Sequence, residues 1–168
     1  MKLHTKQSVH LADGAAWRAE LIGRLVGPDR VRQIREAFET DPALGCVAPE
    51  GHVLRLAEFW GANEDTVRHL CVRMGVPEPE PAHDEFVAGS MCWMRLSALR
   101  PLLDAHLGEW EFAPEQGHID GTMAHAVERA LALAVKHAGF KTETAAGICG
   151  TPFVGGRGYA FAQVVKRD

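Results

Sequence analysis

The chain has 168 residues, of which 46% are hydrophobic and 24% are charged, and its formal net charge is −4. This composition is typical of one soluble globular domain, and its acidic balance gives no support to a nucleic-acid-binding protein. Residues 1–6 lack the apolar core of a signal peptide, and no apolar run reaches the roughly 20 residues of a membrane helix, so we expect a cytoplasmic protein without a transmembrane segment.

The first half of the chain predicts three helices and one strand. Trp17, Leu21 and Leu25 recur every four residues, which favours an amphipathic helix. Asn63 is a suitable N-cap for the third helix, and Gly75 is suited to end it. The predicted elements are helices over 15–26, 29–38 and 64–74, with a buried strand over 44–47.

The second half predicts short strands that alternate with helices. Prolines alternate with glutamates within 76–85, which indicates a stiff surface loop. Gly89-Ser90 would bend a strand, and Ser97 would cap a short helix. The predicted elements are strands over 86–95 and 142–149, helices over 97–106 and 121–137, and a final strand over 159–165 in a C-terminal tail, 150–168. This alternation predicts an α/β protein, with a short mixed sheet flanked by helices.

The cysteines and histidines indicate neither a disulfide framework nor a metal site. The four cysteines are widely spaced and form no CxxC pair, so we expect reduced, mostly buried thiols. The nine histidines show no ligand spacing such as HExxH, so no residue is predicted to bind a metal.

Five short elements, taken in order and spacing, resemble motifs of one bacterial family. The two most specific are FVAGSMCWMR at 86–95 and PEQGHIDGTMAHAVER at 114–129; the others are KLHTK at 2–6, WR at 17–18 and WGAN at 60–63. On these elements, residues 2 to about 140 resemble the C-terminal portion of the rhamnan synthesis protein F family.

The resemblance implies a glycosyltransferase of the GT-A type in the biosynthesis of cell-surface polysaccharides such as rhamnan or lipopolysaccharide O-antigen. It implies transfer of a sugar such as rhamnose from a nucleoside-diphosphate donor, for example dTDP-rhamnose, to a glycan acceptor. Residues 1–168 would then form one domain, the acceptor-side half of a partial GT-A-like fold. Peripheral association with the inner face of the membrane stays open.

The same resemblance implies that the nucleotide-binding half is missing. In the family, the element at 2–6 lies where an Asp-x-Asp motif would close that half, and this chain begins there. We therefore expect an enzyme fragment that is inactive or that depends on a separate nucleotide-binding chain or a homo-oligomer. A non-catalytic module that binds glycan or nucleotide sugar is the alternative. A sheet without its first strands would expose an edge near Leu3 or at 44–47.

Asp120 is the candidate catalytic base. Sugar transfer needs a base that takes a proton from the acceptor hydroxyl, and by resemblance Asp120 lies at that place, ahead of the long helix. From its local sequence alone, Asp120 could instead cap that helix. Both interpretations stay open.

His125, Glu128 and Arg129 are candidate substrate- or donor-binding residues. Their spacing places them on one face of the long helix. By resemblance this face lines the cleft, with Arg129 or His125 on the diphosphate. The alternative is a solvated face with a weak ion pair.

Five further residues are candidates for binding the substrate or the donor. His4 and Lys6 occupy the place of metal-binding carboxylates, so Lys6 could neutralise phosphates directly and metal dependence is left open. Gly89 and Ser90 would allow a close approach of the backbone to a ligand. Trp93 could stack on a sugar ring or belong to the core.

Overall fold

The structure is a computed structural model, which describes residues 1–3, 14–114, 118 and 120–151. It is an α/β protein with two small sheets and helices packed against them, as predicted. The helices are α1 Gly14–Val26, α2 Pro28–Thr40, α3 Glu64–Met74, α4 Arg100–Asp104, α5 Met123–His137 and α6 Ala145–Cys149. The strands are β1 Leu44–Ala48, β2 Val53–Arg55, β3 Glu85–Val87, β4 Trp93–Met94 and β5 Lys141–Thr144.

The larger sheet is mixed and has the strand order β4-β1-β5. β1 pairs with β4 in antiparallel orientation and with β5 in parallel orientation, and all five of its residues are buried. The expectation of an exposed edge at 44–47 is therefore wrong, because strands from the second half of the chain cover both sides of β1. Lys2 forms an isolated bridge with Cys92, beside β4.

The predicted strand over 86–95 is two strands in different sheets. β3 pairs with β2, whereas β4 pairs with β1. Between them Gly89 and Ser90 have φ angles of +79° and +52°, both in the left-handed region that strands do not use. The prediction of a break at Gly89-Ser90 is confirmed, and the break is sharp enough to send the chain from one sheet to the other.

The predicted strand over 142–149 ends early. β5 stops at Thr144, whose Oγ1 accepts a hydrogen bond from the Gly147 N–H and so caps the short helix α6. Gly150 ends α6 in the left-handed conformation. The cap at Thr144 and the left-handed Gly150 therefore define a short helix where the sequence predicted strand.

Two predicted helix caps are also corrected. Ser97 lies inside a 3₁₀ turn, Leu96–Leu99, that leads into α4. Asn63 precedes α3 as expected, but its side chain points to Asp120 rather than to the first turn of α3. Gly75 does end α3, with φ +66°.

Helices α1, α3 and α5 each contribute several buried apolar residues to the core. Trp17, Leu21 and Leu25 of α1 are buried together, as their spacing predicts. α5 packs against α3 and β3, with a buried stripe that includes Ala126, Ala130 and Ala134. These small side chains let α5 approach α3 closely, and this packing positions the N-terminal half of α5.

Two general expectations concern cysteines and membrane spans. Cys46, Cys71 and Cys92 are buried free thiols and Cys149 is a partly buried one, as predicted. In the part of the chain that the structure describes, the helices are too short or too polar to cross a bilayer. The predicted strand over 159–165 lies outside the described residues.

Candidate functional site

Three segments that are distant in sequence meet at the N-terminal half of α5. They are the 3₁₀ turn Gly61–Asn63, the Gly89-Ser90 turn, and residues 120–129. Each belongs to one of the elements on which the family resemblance rests. Their convergence defines the candidate site.

Asp120 is held by several donors. Its Oδ2 accepts the Ala62 N–H at 2.9 Å, and its Oδ1 accepts the Asn63 side-chain amide and the Arg129 Nη2, the latter at 3.3 Å. Burial alone would raise the pKa of the Asp120 carboxyl. The hydrogen bonds from Ala62 and Asn63 and the Arg129 charge outweigh burial, so the pKa lies below its usual value. Asp120 is therefore an oriented, ionised carboxylate.

Asp120 does not occupy the N-cap position of α5. That position belongs to Thr122, and Asp120 lies two residues earlier with its carboxylate against the Gly61–Asn63 turn. The prediction that Asp120 caps α5 is therefore wrong. Its carboxylate joins the start of α5 to the start of α3.

Gly61 makes room for this carboxylate. Its φ is +57°, a conformation that side chains rarely adopt, and a Cβ placed on it would overlap the Asp120 Oδ2 atom. The Asp120 carboxylate can therefore occupy this position only because residue 61 has no side chain.

Arg129 is a buried side chain, 2% exposed, that joins several segments of the chain. Besides Asp120, its guanidinium donates to the Phe59 carbonyl at 2.8 Å and to the His125 carbonyl at 3.1 Å, and it lies 5.5 Å from the centre of the Phe86 ring. A buried cation needs such partners, since an uncompensated one is strongly destabilising. Arg129 thus faces the protein interior.

Glu128 contacts a different segment from Arg129 and holds the Gly89-Ser90 turn. One carboxylate oxygen accepts the Gly89 N–H at 3.2 Å, and the other accepts the Ser90 hydroxyl at 3.3 Å. A Cβ at Gly89 would lie 3.2 Å from the Trp17 ring, so the turn is packed from its other side as well. The left-handed Ser90 is kept in place by these contacts.

Lys2 was not singled out from the sequence, although it belongs to the element at 2–6. Its Nζ donates to the Ser90 carbonyl at 3.2 Å. Burial lowers the pKa of Lys2, against the opposing effect of Cys92 and Glu128. The ammonium of this exposed residue therefore lies beside the Glu128–Ser90 pair. His4 and Lys6 lie outside the described residues.

His125 and Trp93, the remaining predicted site residues, contact other parts of the protein. His125 contacts the Thr122 hydroxyl through Nδ1 at 2.8 Å, whereas the Glu128 carboxylate contacts the Gly89-Ser90 turn and the Arg129 guanidinium contacts Asp120. Trp93 is half-buried against the α1 cluster, and its indole N–H donates to the Leu25 carbonyl at 3.0 Å. Of the two interpretations of Trp93, this placement supports a core tryptophan over one that stacks on a sugar ring.

His52 is a second residue that the sequence did not indicate. It is 4% exposed, its ring lies 5.9 Å from the Trp17 ring, and its Nδ1 has no hydrogen-bond partner within the described part of the chain. Burial, aided by the charge of Arg24, lowers the pKa of His52 to about 4. The imidazole is therefore neutral at physiological pH.

Metal ligands do not cluster in the part of the chain described. Across residues 1–3, 14–114, 118 and 120–151, no group of three or more histidine, cysteine, aspartate or glutamate side chains could hold an ion.

Comparison with known proteins agrees with the motif resemblance. The sequence model of the family described as rhamnan synthesis protein F matches residues 1–140. Two curated relatives from Xanthomonas campestris pv. campestris (strains B100 and ATCC 33913), both described as "Uncharacterized protein WxcX", are 54% identical to the chain over 144 residues. The match covers 86% of this chain but 21% of each relative, so the chain spans about a fifth of their length. No solved structure matches the chain.

Proposed function

The chain belongs to the rhamnan synthesis protein F family, and from this membership we propose that it is the acceptor-side part of a glycosyltransferase-like protein of polysaccharide biosynthesis. The reaction would move a sugar such as rhamnose from a nucleoside-diphosphate donor to a glycan acceptor. The α/β layering and the mixed sheet are compatible with one half of a GT-A-like fold. A separate nucleotide-binding chain or region would complete the donor site.

The observation that carries the proposal is the placement of Asp120. Its carboxylate is oriented by donors from two other parts of the chain, Asn63 and Arg129, and it is partly accessible to solvent. An ordinary surface carboxylate needs no such support, whereas a group that must meet a substrate oxygen in a fixed position does.

In the proposed reaction Asp120 accepts the proton of the acceptor hydroxyl. That oxygen bonds to the anomeric carbon of the donor sugar while the bond from this carbon to the diphosphate breaks, and the diphosphate leaves with the electron pair. The lowered pKa keeps Asp120 ionised at neutral pH, as a base must be. Its three donors reduce its basicity, and they hold it in one orientation.

The cations of the element at 2–6 are proposed to act on the leaving group. Lys2 donates to the Ser90 carbonyl and lies near Glu128. We assign phosphate neutralisation to Lys2 together with His4 and Lys6, and contact with the donor sugar to Gly89, Ser90 and His125. A lysine can neutralise a phosphate as a point charge, without a metal.

The engagement of both Asp120 oxygens favours a second candidate function. A carboxylate that already accepts from Ala62, Asn63 and Arg129 resembles a structural clamp. On this second proposal the chain is an accessory module that binds glycan or nucleotide sugar without transferring it.

Asp120→Asn separates the two candidates, because it keeps the size of the side chain but cannot take up the proton. We would measure binding of dTDP-rhamnose and of rhamnan by calorimetry, and transfer of labelled rhamnose with the nucleotide-binding region of a relative added. The matched control is Asp104→Asn, in an exposed ion pair of α4.

The glycosyltransferase proposal expects transfer by the wild-type chain and by Asp104→Asn, and its loss in Asp120→Asn with rhamnan binding retained. Binding without transfer in all three proteins would favour the accessory module. Failure of the wild-type chain to bind either compound would contradict both candidates.

A further inference from the structure

A tryptophan is displayed to solvent between α4 and α5. Trp110 is 87% exposed, in the 3₁₀ turn Glu109–Glu111. Leu103 of α4 and Phe112 of the same loop are also exposed. Tryptophan in this setting is unusual, because a large aromatic ring left in water forgoes a favourable burial.

The loop that carries Trp110 is held in place by hydrogen bonds and an ion pair. Arg73 of α3 donates to the Ala105 carbonyl at 2.7 Å and to the His106 carbonyl at 3.1 Å, and it forms a two-pronged ion pair with Glu111. Glu111 in turn accepts the Gly108 N–H at 2.8 Å. The loop therefore holds its shape before any ligand arrives, which lowers the entropic cost of binding.

Gly108 fixes the position of the indole. The Trp110 ring lies directly on the Gly108 backbone, where the Cβ of any other residue would overlap the ring. The ring contacts the protein at Gly108, while most of its surface is presented to solvent, since Trp110 is 87% exposed. The result is a flat apolar platform.

The charges near the platform are two compensated arginines and the exposed carboxylate of Glu109. Arg73 pairs with Glu111, and Arg100 pairs with Asp104 at 2.9 Å. The hydrogen bond from Arg73 lowers the pKa of Glu111, so this pair stays ionised at neutral pH. A surface whose arginines are already compensated does not suit an anionic membrane or nucleic acid, which are attracted by excess positive charge. It suits a neutral ligand with an apolar face.

Helix α3 sets the separation between the platform and Asp120. Asn63, at the start of α3, contacts Asp120, and Arg73, near its end, contacts the Trp110 loop. Ten residues of α-helix span about 15 Å. A ligand of a few sugar units could therefore extend from one to the other.

We propose that Trp110 is a stacking platform for the glycan acceptor, a subsite about one α3 length from Asp120. This inference rests on the proposed function, since it takes the ligand to be a neutral glycan such as rhamnan. The methyl group and C–H faces of a 6-deoxyhexose pack against the indole, as apolar groups do on aromatic rings. The platform would hold an internal sugar of the acceptor while its end reaches Asp120.

The test compares Trp110→Ala, Trp110→Phe and the control Leu96→Ala, which truncates another exposed apolar side chain. Binding of rhamnan fragments and of dTDP-rhamnose to the 168-residue chain is measured by calorimetry. We expect Trp110→Ala to weaken fragment binding by about ten-fold and Trp110→Phe to retain most of it. Leu96→Ala should bind as wild type, and affinity for dTDP-rhamnose should not change.

Three results would overturn the inference. If Trp110→Ala binds rhamnan as wild type while Asp120→Asn loses transfer, the platform is absent and the proposed function stands. If Trp110→Ala instead abolishes self-association or binding to phosphatidylglycerol vesicles, with rhamnan affinity unchanged, the surface serves a protein or a membrane. If the wild-type chain binds no rhamnan, both the platform and the glycan acceptor are wrong.

Discussion

Asn63 and Asp120 are 57 residues apart in sequence, and the Asn63 side-chain amide binds both the Asp120 carboxylate and the backbone that follows it. The Asn63 Nδ2 donates to the Asp120 carboxylate, while its Oδ1 accepts the N–H of the next residue, Gly121, at 3.1 Å. Asn63 is fully buried, so its side-chain amide must find its hydrogen-bond partners within the protein. The start of α3 and the approach to α5 are thus fixed relative to each other.

Asn63→Asp should reverse the pH response of this clamp. Two carboxylates in contact raise each other's pKa, so one of them would take up a proton more readily in the folded than in the unfolded chain. The folded state is then favoured at low pH and loses stability as pH rises. We expect the free energy of unfolding of Asn63→Asp, measured in urea, to be lower at pH 7 than at pH 5.

The neutral variant Asn63→Ala is the control for that experiment. It leaves the Gly121 N–H and the Asp120 carboxylate short of partners, which should cost about 1–3 kcal/mol at both pH values. Equal losses at both pH values in Asn63→Asp would show that the two carboxylates do not interact.

Gly61→Ala should destabilise the protein through Asp120. The substitution adds a Cβ both in a left-handed conformation and against the carboxylate. Gly75→Ala isolates the first effect, because Gly75 has φ +66° and its Cβ would meet open space among the described residues. We expect about 1 kcal/mol for Gly75→Ala and about 2 kcal/mol more for Gly61→Ala, in urea unfolding. Similar values for the two variants would contradict the close contact at Gly61.

Arg129→Met should be among the most destabilising single changes. It removes a buried guanidinium and leaves Asp120 and two carbonyls without that donor, which costs about 3–5 kcal/mol by analogy with broken buried ion pairs. Arg100→Met is the control, since an exposed pair contributes about 1 kcal/mol or less. Thermal and urea unfolding of both variants would measure the difference. A small loss for Arg129→Met would indicate that Asp120 is stabilised mainly by Ala62 and Asn63.

His52 should make the protein sensitive to mild acid. Its folded pKa of about 4 lies below the unfolded value of 6.5, so at intermediate pH the unfolded chain binds the proton and the folded chain does not. The contribution is complete above pH 6.5 and is lost as pH falls towards 4, by up to about 3 kcal/mol. His52→Gln should flatten the stability profile between these values. The exposed variant His137→Gln should leave it as in wild type, and an unchanged profile in His52→Gln would refute the assignment.

Local patterns predicted the parts of the fold that depend on near neighbours. The stripe Trp17, Leu21 and Leu25 indicated α1, and Gly75 indicated the end of α3. The strand predicted over 142–149 extends only to Thr144, because a threonine cap and a glycine stop make the remaining residues a short helix. Caps of this kind are short-range signals, and they were available in the sequence.

The candidate site was less predictable, because its contacts are long-range. Asp120 and Arg129 were identified by family resemblance, but their partners Asn63 and Phe59 come from another part of the chain. Asn63 is a good local cap, and the tertiary contact with Asp120 overrides that preference. Neither the role of Lys2 nor the burial of His52 has a local signature, since both follow from which segments pack against them.

The central position of β1 has a consequence for how the chain folds. Its two partners are contributed late in the sequence, with Val47 opposite Trp93 and Leu44 opposite Lys141. Closing such large loops costs entropy before any pairing is gained, so the sheet should be a late and rate-limiting event. During synthesis, β1 therefore cannot complete its pairing until β5 has emerged from the ribosome. The helical hairpin of α1 and α2, which is built from local contacts, can form before then.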